Sequence, residues 1–172
     1  TLPNFPFDCR AGKKWWIEAC FNVGDLDDCE FFFGLHEEQY ASQTNLSQNA
    51  GGTSDDTIAL VKATHNTGAI TNLTSRNGND SATALSTALT IANNSDVVRL
   101  AIHWDGSGLK YYGSISTTAT GYQSEAMALV ATETDATNIP EAGVKLALSL
   151  QIASAGSAEV LTVNYLRGAW EI

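Results

Sequence analysis

Charge is scarce in this sequence. Only 16% of the residues are Asp, Glu, Lys or Arg, against about 25% in an ordinary globular domain. The shortage falls hardest on the basic side. Nine Lys and Arg stand against 19 Asp and Glu, a formal net charge of −10 at pH 7. A nucleic-acid partner requires a basic patch to neutralise phosphates, and anionic membranes attract clustered Lys and Arg. Neither nucleic acid nor membrane is therefore expected as a partner. An acidic surface suits a basic protein or a divalent cation, and most often serves only to keep a protein soluble.

Cysteine is also sparse. Cys9, Cys20 and Cys29 are the three present, an odd number without framework spacing. Free thiols in a reducing cytosol are the expectation; a single bridge from Cys9 to one of the others is the alternative. No apolar run reaches transmembrane length and no signal-peptide pattern is seen. There are no coiled-coil heptads, no fixed-period repeat and no internal linker.

What is present is 44% apolar residues with abundant Thr, Ser, Asn and Gly, a mixture that suits strands, turns and wet loops. The 172 residues fit one domain, large enough to bury roughly 70% of its unfolded surface without a disulfide or metal. Residues 1–12 read as an extended N-terminal arm, with Pro3 and Pro6 favouring extended backbone and Phe5 and Phe7 as anchors. Residues 13–172 read as the single folded body.

Alternation of apolar and polar residues marks the strands. From Lys14 to Val23, Trp15, Ile17, Ala19, Phe21 and Val23 share one face; Trp16, Glu18, Cys20 and Asn22 share the other. Cys29 to Glu37 follows with Phe31, Phe33 and Leu35 inward, and the two segments are expected to pair as a hairpin. Glu38 to Ser54 reads as a long polar loop. Thr57–Thr64 is a strand. Asn66–Asp80 reads mostly as turns, with Asn77-Gly78 a candidate hairpin turn. Ser81–Ala92 leans towards strand, with a short helix as the alternative. Asp96–Trp104 and Leu109–Ile115 form a hairpin around Asp105-Gly106-Ser107-Gly108. Glu125–Thr132, Val144–Ile152 and Glu159–Trp170 complete nine or ten strands. Their spacing is that of an all-β, two-sheet antiparallel sandwich.

Some residues go beyond generic patterning. An aromatic strand, Lys13-Lys14-Trp15-Trp16-Ile17-Glu18-Ala19, precedes Glu30-Phe31-Phe32-Phe33-Gly34-Leu35. Ser54-Asp55-Asp56-Thr57-Ile58-Ala59-Leu60 follows, then Val98-Arg99-Leu100-Ala101-Ile102-His103-Trp104-Asp105-Gly106. Leu161-Thr162-Val163-Asn164-Tyr165-Leu166-Arg167 ends the series. This order resembles concanavalin A-like (laminin-G-like) jelly rolls, in particular those of tailed-phage virion proteins of marine phages. The resemblance spans about Phe5 to Trp170. It implies a non-enzymatic structural protein of a virion, a capsid decoration or cement subunit made in the host cytoplasm. Its partner would be the major capsid protein or another virion protein, and a homo-oligomer would be natural.

The chemistry-bearing residues fit that expectation. Glycoside hydrolysis needs two carboxylates flanking the bond, about 5–5.5 Å or 6.5–9.5 Å apart. No strand shows the alternating acids of jelly-roll hydrolases: Glu18 stands alone, and Glu37-Glu38 point to opposite faces. Asp25, Asp27 and Asp28, with Glu30, are a weak calcium candidate, and Asp55-Asp56 another; neither has EF-hand spacing, and solvated turns are the simpler reading. His36, His65 and His103 lack any paired spacing for zinc. No nucleophile elbow and no phosphate loop occur. No cofactor is expected. Asn45, Asn72, Asn79 and Asn93 match the glycosylation pattern, which matters only in a secreted eukaryotic protein. Among aromatics, Phe5, Phe7, Trp16, Phe32 and Tyr112 are the interface candidates. An aromatic outside the core anchors a protein contact or stacks on a sugar, so a carbohydrate-binding module or fibre domain is the competing function.

Overall fold

The structure, a computed structural model, describes residues 7–24, 29–36, 56–62, 68–76, 79–84, 89–117, 126–142, 146–154 and 160–171. Ten strands are found among them: β1 (Trp15–Val23), β2 (Cys29–His36), β3 (Thr57–Lys62), β4 (Thr71–Arg76) and β5 (Asn79–Ala84), then β6 (Val97–Trp104), β7 (Leu109–Ser116), β8 (Ala128–Glu133), β9 (Ala147–Ser154) and β10 (Leu161–Trp170). They form two five-stranded sheets, ordered β10-β1-β6-β7-β8 and β5-β4-β3-β2-β9. Every strand pairing is antiparallel. The expected all-β, two-sheet fold is the fold found.

The core lies between the sheets. Ile17, Phe21, Val98, Leu100, Ile102 and Tyr111 come from the first sheet, and Phe31, Phe33, Leu35, Ile58 and Leu60 from the second; all are fully buried. Each such side chain contributes roughly 1.5–3 kcal/mol through burial.

The expected hairpin of β1 with β2 does not form. β1 lies between β10 and β6, and β2 between β3 and β9. Alternation fixes which face of a strand is buried but not which strand pairs with it. These two strands face each other across the core instead, with Phe21 and Phe31 edge to face at 5.2 Å.

The β6–β7 hairpin forms as expected, with Trp104 opposite Leu109. Asp105 Oδ1 accepts the Ser107 and Gly108 backbone N–H groups, each at 3.0 Å. Gly106 sits at φ 95°, where an L side chain would strain the turn.

A second correction concerns residues 71–76, expected as turn and found as β4. Its inward positions are polar: Asn72 lies opposite Leu60 and Thr74 opposite Ile58. Thr74 shares a 2.6 Å hydrogen bond with the buried Tyr111 hydroxyl. Polar residues on the core face conceal the alternation. Arg76 pairs with Asn79; Asn77 and Gly78, the candidate hairpin turn, lie outside the described residues. The strand expected over 81–92 is realised through Ala84. Further on, Leu89 and Ile91 are buried and Thr90 makes an isolated bridge to Ala69.

The described part of the arm belongs to the body. Phe7 bridges to Leu146 and packs edge-on against Trp15 and Trp170 at 5.7 and 6.1 Å. The Trp15 indole N–H donates to the Asp8 carbonyl at 2.8 Å, and that of Trp104 to the Arg10 carbonyl at 3.2 Å.

Candidate functional site on the outer face of the first sheet

The two outer faces differ. On β2 the outward Glu30, Phe32 and His36 are buried. On the first sheet the outward row is accessible: Trp16, Arg99, His103, Lys110 and Tyr112 are all partly exposed, and Arg167 is exposed. Register brings these residues together. Trp16 lies opposite His103, and His103 opposite Lys110. Glu18 lies between Ala101 on β6 and Arg167 on β10. Tyr112 is the next outward residue beyond Ala101.

Glu18 organises one end of this face. Arg99 Nε donates to its Oε1 at 2.7 Å and Arg167 Nη2 to its Oε2 at 2.9 Å. The Tyr165 hydroxyl donates to Oε1 as well. A register shift at Cys20/Phe21 skips Asn164 in the β1–β10 ladder. Such a bulge re-aims side chains: Asn164 reaches Asn22 Oδ1 at 3.5 Å while Tyr165 reaches Glu18. The Arg167 guanidinium also stacks over the rings of Trp16 and Tyr165, at 5.2 and 4.8 Å from their centroids.

The electrostatics follow from this packing. Burial by itself would raise the Glu18 carboxyl, but the Tyr165 hydroxyl and the two guanidiniums outweigh it and hold it below the ordinary glutamate value. Burial and the adjacent carboxylate push the Tyr165 hydroxyl up to about 12. Glu18 is thus ionised at neutral pH with both of its oxygens engaged by donors. It has no proton to give and little basicity to offer.

The strands of this sheet carry one other carboxylate, Glu133 on β8. Three strand spacings separate β8 from β1, or roughly 14 Å, well beyond the span of a glycosidase acid pair. Glu133 pairs with the inward-facing Leu109 and is engaged by Asp135 N–H and Asn138 Nδ2.

The other end of the face is less committed. Neither the Trp16 indole N–H nor the Tyr112 hydroxyl makes a hydrogen bond among the described residues. Burial, with help from Lys110 and Lys14, lowers His103 despite Asp105 and Glu171, so its imidazole is neutral at pH 7 and can donate and accept. Lys110 is held by Asp105 at 2.8 Å. Fixed aromatic edges, a neutral imidazole and an anchored ammonium form a surface equipped for contact.

Of the interface candidates, Trp16 and Tyr112 stand on this face. Phe7 and Phe32 are not on it: Phe7 fills the gap beneath Gly168, Phe32 packs edge-on with His36, and both are buried. Phe5 lies outside the described residues, as do Asp25, Asp27, Asp28, Asp55 and His65. Asp56 and Glu30 are buried, and no group of three or more metal-ligating side chains occurs among the described residues. The three cysteines are buried, unbridged thiols. Sequence reasoning missed the Glu18 cluster. Its partners Arg99 and Arg167 lie 81 and 149 residues away, with no local pattern to join them.

No protein-family model and no curated protein matches the chain. Solved structures do. Sheep galectin-11, in complex with glycerol, matches with TM-score 0.50 and 11% identity, over 98% of this chain and 100% of the galectin. The polysaccharide lyase family 18 protein aly-SJ02 r-CATD (TM-score 0.40, 12% identity) and an alginate lyase from Alteromonas sp. 272 (0.39, 11%) each cover 92% of this chain over 72% of their own. The galectin match shows the fold. This chain is a jelly roll of the concanavalin A-like kind. At such identity the jelly roll carries no function with it, because one fold hosts many.

Proposed function

We propose that this jelly roll is a non-enzymatic structural subunit of a tailed-phage virion, a decoration or cement protein seated on the major capsid protein at the capsid surface. One observation carries the reading: the buried carboxylate of the accessible face, Glu18, is engaged on both oxygens by three donors from two neighbouring strands. That makes the face a rigid surface for attachment rather than a place for bond-making. The order of aromatic strands that resembles marine-phage virion proteins supplies the assembly. A subunit that binds only the assembled shell stabilises it by mass action.

The test is reattachment of the purified chain to particles stripped of it. Tyr112→Ala and Lys110→Ala should each weaken attachment at least tenfold while the free chain stays folded, the loss of the exposed Lys110–Asp105 ion pair costing little. Attachment that neither substitution weakens would contradict this use of the face.

A second reading is favoured by the row Trp16, His103, Lys110 beside Tyr112: a glycan-binding module, in which sugar hydroxyls meet the imidazole and ammonium and a ring packs on Tyr112. The similar galectin-11 structure holds glycerol, a polyol. Glycan-array binding abolished by Tyr112→Ala, together with absence from particles, would select this reading.

A further inference from the structure

His103 stands on β6 in the outer face of the first sheet. Its cross-strand neighbours are Trp16 on β1 and Lys110 on β7, and part of its surface remains in water. Charged groups reach it from each adjoining element: Lys14 just before β1, Asp105 in the β6–β7 turn, Lys110 on β7 and Glu171 just after β10. Tyr112 is the next outward residue of β7. Beyond Trp16 stands Arg167, whose guanidinium lies over the indole.

Two ion pairs flank the imidazole. Lys110 Nζ holds Asp105 Oδ2 at 2.8 Å, and Lys14 Nζ lies 3.9 Å from Glu171 Oε1. Both carboxylates that could compensate an imidazolium are thus already committed to lysines. A proton on His103 would add a third positive charge to this group against two negative ones. Water tolerates that charge while the face is open. Covering the face removes the water, and an imidazolium without its own acid then costs far more than a neutral ring.

Given the use of this face for attachment, a reading on which this inference rests, we propose that the attachment is proton-linked: the subunit is held while His103 is neutral and released when His103 takes up a proton. The sign follows from burial. In the free chain burial already holds His103 below its ordinary value of 6.5, with Lys110 and Lys14 adding to the effect against Asp105 and Glu171. Contact lowers it further. Attachment is therefore complete above the free-chain value and weakens as pH falls through it, by up to about tenfold per pH unit. Other groups of the face keep their charge between about pH 5 and 8: Glu18 and Asp105 are held below their ordinary values, Lys110 and Tyr165 above theirs.

Reattachment of the purified chain to particles stripped of it, at about pH 5 and about pH 8, tests the linkage. The unmodified chain should bind at least tenfold more weakly at the acid pH. His103→Gln, which carries no charge at either, should bind with the same affinity at both. Nuclear magnetic resonance of the unmodified free chain gives a reading that no folding defect can disturb: the His103 ring protons should titrate with a midpoint below 6.5. Binding by the unmodified chain that is equal or tighter at the acid pH, an acid loss of the same size in His103→Gln, or a midpoint above 6.5 would each overturn the linkage and leave the virion reading standing. No binding at either pH would overturn that reading, and the linkage with it.

Discussion

Arg167 on the edge strand β10 donates to Glu18 on β1 at 2.9 Å while its guanidinium lies over the Trp16 ring at 5.2 Å. One side chain therefore ties an edge strand to its neighbour by an ion pair and a cation–π contact at once. With Arg99 from β6 on the other oxygen of Glu18, three adjacent strands are pinned at one carboxylate.

Removing its centre should be costly. The Glu18 side chain is 5% exposed, and Arg99, at 18%, would lose its partner. Glu18→Ala should destabilise the fold by roughly 3 kcal/mol, as expected when one member of a buried pair is deleted. Arg167 is 54% exposed and its charge is screened, so Arg167→Ala should cost only about 1 kcal/mol. Denaturant unfolding of the two variants checks both the size and the order of the effects.

The same cluster makes stability depend on pH at both extremes. Glu18 has a lower pKa folded than unfolded, so its contribution is complete above the ordinary glutamate value of 4.5 and is lost as pH falls through the depressed folded value. Tyr165 is shifted the other way, from 10.0 to about 12; its contribution is complete below pH 10 and is lost as pH rises towards 12. Unfolding free energy measured against pH should show both losses. Glu18→Gln should flatten the acid limb, and Tyr165→Phe the alkaline one.

Phe7 anchors the described arm against Trp15 and Trp170. Phe7→Ala empties a buried site and should cost about 3–5 kcal/mol. A melt unchanged by this substitution would show that residues 7–12 do not contribute to the body.

Gly34 on β2 admits no side chain. A Cβ there would lie 2.2 Å from the Ile58 carbonyl oxygen of the paired strand, and backbone in a ladder cannot yield cheaply. Gly34→Ala should destabilise by at least about 1–3 kcal/mol. Gly12→Ala has open space around it but sits at φ 79°; its cost should be near 1 kcal/mol, from backbone strain alone. Thermal melts of the two variants separate the mechanisms.

The strands with strict alternation were legible in the sequence. β1, β6, β7 and β10 fall within a residue or two of where the apolar row predicts them, because each has one face in the core and the other towards water. β4 was not legible, since Asn72 and Thr74 stand on its buried side, Thr74 sharing a hydrogen bond with a tyrosine from the other sheet. Strand partners were beyond reach for a different reason. Nothing local distinguishes β2 pairing with β1 from β2 packing across the core from it. The Glu18 clip shares that origin, because its members meet only after the sheet has been assembled. Trp16 and Tyr112 could be placed on the outer face by parity alone; Phe7 and Phe32 could not be placed, because parity does not reveal what covers a face.

The role proposed for this jelly roll is that of a repeated attachment subunit of a virion. The direct measurement of that proposed role is the copy number of the chain, by quantitative mass spectrometry, in purified virions. Hundreds of copies in fixed ratio to the major capsid protein are expected. Absence from the particles, or a number in the tens as for a fibre, would contradict it.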